Sequence, residues 1–75
     1  MMVATMTISQ RIGQLRREKK LTQHQLASQS ELSVSAIRKY EQGISEPSIR
    51  SLIKIASAFK ITLDELVEGV DFPEE

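Results

Sequence analysis

The 75 residues include no cysteine, so neither a disulfide nor a thiolate zinc site can form. That absence fits a reducing cytoplasm. Tryptophan is missing too, and one tyrosine with two phenylalanines completes the aromatic set. The single histidine, His24, has no Cys, Asp or His at ligand spacing and reads as a surface residue. Metal sites and cofactors are therefore not expected, and no glycine-rich phosphate loop is present. Catalysis has no constellation to rest on: the acids are scattered or sit at helix caps, and the serines have no histidine at a favourable spacing. No apolar run approaches the roughly 18 residues that a membrane span requires. The opening Met1–Met6 stretch has no basic region and no long apolar segment, so no signal peptide is expected.

Net charge is also missing: ten basic residues balance ten acidic ones. The balance is not local. Residues 1–60 hold all ten Lys and Arg against four acids (Glu18, Glu31, Glu41 and Glu46), a net of +6, while residues 61–75 hold six acids and no base, a net of −6. A phosphate backbone meets the local field rather than the total, so the basic body keeps a nucleic-acid partner in play.

Apolar residues recur at helical spacing throughout, and no stretch alternates as a strand would. The pattern predicts an all-α fold, a compact bundle of five helices. Helix 1 runs from Ile8 to Lys19 with Thr7 as N-cap and turns Ile8, Ile12 and Leu15 inward. Helix 2 follows the capping box Thr22–Gln25, carries Leu26 and Ala27 inward and ends near Ser30. Helix 3 starts from Ser33 and stops at Gln42, with Gly43 as the left-handed residue beyond it. Its buried stripe is Ala36, Ile37 and Tyr40. Pro47-Ser48 opens helix 4, where Ile49, Leu52, Ile53, Ala56 and Phe59 are expected to face the core. A second capping box, Thr62–Glu65, starts a short helix 5 with Leu63, Leu66 and Val67 apolar and Gly69 ending it. Residues 1–6 read as a disordered N-terminus, 7–69 as the domain and 70–75 as an acidic tail.

Helices 2 and 3, separated only by Glu31-Leu32-Ser33, have the spacing of a helix-turn-helix unit. Leu26, Ala27, Leu32 and Ile37 would lock the two together. Val34, Ser35, Arg38 and Lys39 then remain on the outside of helix 3, small at its start and basic one turn later. Such a face suits the major groove, with short side chains near base edges and long cations near guanines or phosphates. The bland reading of Arg16, Arg17, Lys19 and Lys20 is a solvated helix end that suits the helix dipole.

The ordered set of segments resembles the phage repressor and Cro-like (XRE) helix-turn-helix family. The matching stretches are Ile12–Arg16, Leu21–Ala27, Leu32–Gly43, Pro47-Ser48 and Leu52–Phe59, and the likeness extends over about residues 7–67. It implies a five-helix, lambda-repressor-like domain whose third helix, 33–42, reads duplex DNA. By that resemblance Val34, Ser35 and Lys39 occupy base-reading positions with Arg38 beside them, and Gln23 bonds a phosphate. Thr22, Ser33, Gln42 and Arg17 join Gln23 as expected phosphate contacts. The resemblance also implies an ion pair between Arg16 and Glu41. Three residues depart from the family pattern. Lys20 and Glu31 stand where glycine is frequent, and the strain of a left-handed non-glycine residue predicts a turn of different shape. Glu46 stands in a loop that usually carries a base and would repel a phosphate.

Two functions compete at this point. One is a small transcriptional regulator, most simply a repressor, binding a palindromic operator as a homodimer. The other is a protein-interaction or antitoxin-like module whose main partner is a protein. Leu66, Val67, Val70 and Phe72, at and beyond the end of helix 5, are the expected dimer interface. The length suits a short prokaryotic or phage-type regulator made of little more than this domain.

Overall fold

A computed structural model of the chain describes residues 6–72. Five helices follow one another there: α1 (Ile8–Glu18), α2 (Gln23–Ser30), α3 (Val34–Gln42), α4 (Ile49–Phe59) and α5 (Leu63–Leu66). Their starts are fixed by hydroxyl caps. Thr7, Thr22, Ser33, Ser48 and Thr62 each accept a bond from the backbone N–H three residues on. Glutamine or glutamate returns the bond at Thr7, Thr22 and Thr62, so each of these boxes satisfies two otherwise orphaned amides. The bonds from the Thr62 backbone and hydroxyl also hold the Glu65 carboxyl below its usual range.

Every helix contributes at least one fully buried side chain to a single core: Ile12, Leu26, Ile37, Ile55 with Phe59, and Leu66. Burying one such side chain stabilises the fold by about 1.5–3 kcal/mol. α3 packs on both α1 and α2, α2 also packs on α4, and α4 packs on α5. Arg11 adds a polar tie between the ends of the fold. Its Nε donates to the Leu66 carbonyl at 3.0 Å and its Nη2 to the Glu65 carbonyl at 2.7 Å, capping the end of α5 from α1.

Four expectations require correction. Ile49 and Ile53 are 63% and 52% exposed, while Ile55 is fully buried. The stripe of α4 is Leu52, Ile55, Ala56 and Phe59, a phase rotated away from the Ile49–Ile53 ridge. Leu66 has no exposed surface and lies inside this chain's own core, so it cannot form part of a dimer surface. Val67 and Val70 are half-buried against that same core, which leaves Phe72 as the exposed member of the expected interface. Finally, Met6 is not part of a disordered end. It forms an isolated parallel bridge with Val70, its N–H donating to Gly69 and its carbonyl accepting from Asp71. The rest of the expected N-terminal segment, residues 1–5, and tail residues 73–75 lie outside the described residues.

Candidate nucleic-acid interface

α2 and α3 are joined by Glu31, Leu32 and Ser33, with Glu31 in the left-handed conformation at φ 59°. The Leu32 N–H reaches back to the Ala27 carbonyl at 3.0 Å, closing the end of α2. Lys20 is left-handed as well, at φ 59°. The departures from glycine thus do not reshape the turns: the left-handed geometry is kept, and the strain is carried by side chains that have a Cβ. At the other end of α3 the same geometry falls on Gly43 at φ 76°, where glycine bears it without penalty.

Within α3, Ile37 points into the core while Ala36 and Tyr40 flank it partly covered. The opposite side carries Ser35, Arg38, Lys39 and Gln42, all exposed. At about 100° per residue these four fall on one continuous strip. Val34 borders the strip and is half-buried against the core. Neither Arg38 nor Lys39 has an acidic partner among the described residues, where Arg16–Glu41 is the one ion pair. The face therefore offers uncommitted positive charge and short side chains.

One hydrogen-bonded cluster sets the seat of α3. Arg16 of α1 grips Glu41 through two bonds, Nε to Oε2 at 2.7 Å and Nη2 to Oε1 at 3.1 Å, and donates from Nη1 to the Leu21 carbonyl at 2.8 Å. Gln23, the first residue of α2, donates from Nε2 to the same Glu41 Oε1 at 3.3 Å. Glu41 thus joins the end of α1, the start of α2 and the end of α3. The two charged side chains are only 15% and 10% exposed. Arg17 is exposed, with its guanidinium lying back over buried Gly13; a Cβ added there would stand 3.1 Å from Nη1.

The expected phosphate contacts differ in what they have left to give. The Gln23 amide spends one of its two N–H groups on Glu41 and keeps the other. The hydroxyls of Thr22 and Ser33 accept cap bonds at 3.0 Å, which leaves each O–H hydrogen available as a donor. Gln42 is exposed at the far end of the strip, and Glu46 is exposed in the loop beyond it. His24 is exposed on α2, and among the described residues no group of His, Cys, Asp or Glu is arranged to hold a metal ion. Among those same residues no helix is long and apolar enough to cross a membrane.

Sequence reasoning missed two features of this region. The Arg11 tie leaves no periodic trace, because its acceptors are main-chain carbonyls more than 50 residues away. An apolar edge on α4 was hidden by the assignment of Ile49 and Ile53 to the core. Ile49 lines a cavity of about 230 Å³ with Ile8, Glu46, Pro47, Leu52 and Phe72.

A helix-turn-helix family profile matches residues 12–66. The HTH-type transcriptional activator BcrR of Enterococcus faecalis is 44% identical over 64 residues, which cover 85% of this chain and 31% of that protein. The restriction-modification controller protein C.AhdI from Aeromonas hydrophila superposes with a TM-score of 0.76 at 36% identity, covering 79% of this chain and 89% of that one. The P22 c2 repressor in complex with synthetic operator 9T gives a TM-score of 0.76 at 28% identity, covering 87% of this chain and 98% of that one. This chain spans 31%, 52% and 54% of the length of three curated relatives that it matches. The ordered caps, the left-handed turn and a profile covering most of the residues lead to one assignment: the chain belongs to the helix-turn-helix family of the phage-repressor, XRE-like type.

Proposed function

We propose that this chain binds duplex DNA sequence-specifically as a transcriptional regulator, with α3 in the major groove. The observation that carries the reading is the outer strip of α3, where Arg38 and Lys39 are exposed, with no ion-pair partner among the described residues, behind the short Ser35. The operator-bound P22 c2 repressor, which shares the fold, supports it. Gln23, Thr22, Ser33, Gln42 and Arg17 serve the phosphates, whereas Val34, Ser35, Arg38 and Lys39 meet base edges. The operator is a palindrome read by two copies, their recognition helices about 34 Å apart.

A basic reading face and an exposed apolar group coexist, on different elements. Ile49 and Ile53 lie one turn apart on α4, with Phe72 beside Ile49 in the shared cavity. The strip of α3 stays free of exposed apolar side chains, so the protein-partner reading becomes a second copy of this chain seated on the α4 edge. Charge supports that occupant: exposed Arg50 flanks the edge, and acidic Asp71 precedes Phe72. A two-fold contact can set each against the other.

Titrations of a selected site and its point variants test the roles. Gln23→Ala should weaken binding to every sequence alike, while Lys39→Ala should change which base is preferred by about 1–3 kcal/mol at one position. Uniform weakening by Lys39→Ala would reduce it to a backbone contact. No duplex bound at micromolar concentration would overturn the DNA-binding reading itself.

A further inference from the structure

We infer that each operator half-site places a thymine and a guanine in adjacent base pairs, with the thymine methyl against Val34 and guanine O6 and N7 taken by Arg38. The inference rests on the DNA-binding reading above and assigns the bases that this reading leaves open.

Helical side chains lean toward the helix N-terminus, so a residue covers the surface over the turn before it. Arg38 is four residues after Val34 and therefore extends over it along one ridge of α3. Val34 is β-branched, holds essentially one rotamer in a helix, and is half-buried against the core. Its remaining surface is a fixed pair of methyl groups at the edge of the groove face. The apolar group that a major groove offers such a surface is the C5-methyl of thymine. Arg38 is exposed and without an acidic partner among the described residues, so its planar fork is free. That planar fork matches the two acceptors of guanine in a fixed geometry. Val34 and Arg38 form one composite surface, apolar beside bidentate donor, so their bases are adjacent. Cytosine is disfavoured at this ridge. The exposed strip of α3 carries no carboxylate to accept from cytosine N4, and Glu41 is committed to Arg16 and Gln23.

The full chain is first used to select bound duplexes from a random pool. Enrichment of an A·T pair next to a G·C pair at a fixed place in each half-site is expected. The selected site is then rebuilt with deoxyuridine for that thymine, which removes only the methyl. Wild type should lose about four-fold in affinity, the worth of one buried methyl. Val34→Ser, which carries no methyl, should lose nothing further on this substitution, and Val34→Asn serves if Val34→Ser melts too low. Replacing the guanine by 7-deazaguanine should cost wild type about ten-fold and leave Arg38→Ala unaffected. A pool with no enriched sequence overturns the DNA-binding reading together with this one. Enriched half-sites in which no A·T pair neighbours a G·C pair, or penalties equal in wild type and variants, overturn this inference alone.

Discussion

At the scale of single residues, Glu41 carries the most structural information. One of its oxygens accepts from Arg16 and Gln23, and the other accepts from Arg16 alone. Removing Arg16 would leave a carboxylate in a site only 10% open to solvent, together with a Leu21 carbonyl that has lost its donor. Breaking a well-shielded pair costs about 3–5 kcal/mol, and this one keeps some solvent contact, so Arg16→Ala should cost about 2–4 kcal/mol. Glu41→Ala should cost a similar amount, and the double variant far less than the sum of the two. Denaturant melts of the four proteins measure that coupling, and additive losses would show that the pair contributes nothing. This contact was available before the structure only through family resemblance. No spacing rule joins residues 16 and 41, which meet because α1 and α3 cross. The base-reading candidates are different, since the period of α3 alone turns Ser35, Arg38 and Lys39 away from Ile37. Val34 lay at the boundary of that pattern, and the structure leaves it half-buried against the core at the border of the exposed strip.

At the scale of elements, the helix caps were the legible part. Thr7, Thr22, Ser33, Ser48 and Thr62 mark all five starts in the sequence, because a hydroxyl followed by helical periodicity has few other uses. The phase of α4 was not legible. Ile49, Leu52, Ile53, Ile55, Ala56 and Phe59 supply enough aliphatic surface for two overlapping stripes, and packing on α2 and α5 selects between them. The ends of the helices show where local chemistry yields to tertiary structure. Lys20, Glu31 and Lys60 all adopt positive φ without being glycine. Such a residue costs about 1–2 kcal/mol. Glycine at the same place relieves that strain but adds unfolded-state entropy of about 0.5–1 kcal/mol. Glu31→Gly should therefore stabilise the domain by up to about 1 kcal/mol, which for a domain of this size raises Tm by about 4–8 °C. The turn keeps its shape, so affinity for a fixed operator should be unchanged. A Tm that stays level or falls in thermal melts would show that Glu31 bears no strain.

At the scale of the whole molecule, a chain of zero net charge is proposed to bind a polyanion, and the division of charge resolves the conflict. The +6 body and the −6 end are distinct in sequence, and described acids of the latter, Asp64, Glu65, Glu68 and Asp71, all lie after α4. If each protomer neutralises about four phosphates, log K should fall against log salt with a slope of about −3.6, about −0.9 for each. A flat profile in binding titrations would remove the electrostatic part of the argument. The proposed two-fold contact is the second matter at this scale, and its surface would be set by what folding leaves uncovered. Leu66 was one of its expected members, but it is fully buried; the large apolar side chains left exposed are Ile44, Ile49, Ile53 and Phe72, of which Ile49 and Ile53 share a ridge of α4 and Phe72 lines a cavity with Ile49. An edge of so few residues covers less area than a standard protein–protein interface, so the dimer should be weak in free solution and strengthened when both copies sit on one operator. Ile53→Glu tests the edge directly. Ile53 is 52% exposed, so the change should move stability by no more than about 0.5 kcal/mol, while it places a buried, unpaired charge at any two-fold contact. Sedimentation over a range of concentrations should show wild type gaining mass and Ile53→Glu remaining a monomer. The variant should also lose cooperative binding to a two-half-site operator while keeping its affinity for a single half-site. Equal mass gain in both proteins, or unchanged cooperativity in Ile53→Glu, would mean that the copies meet through another face.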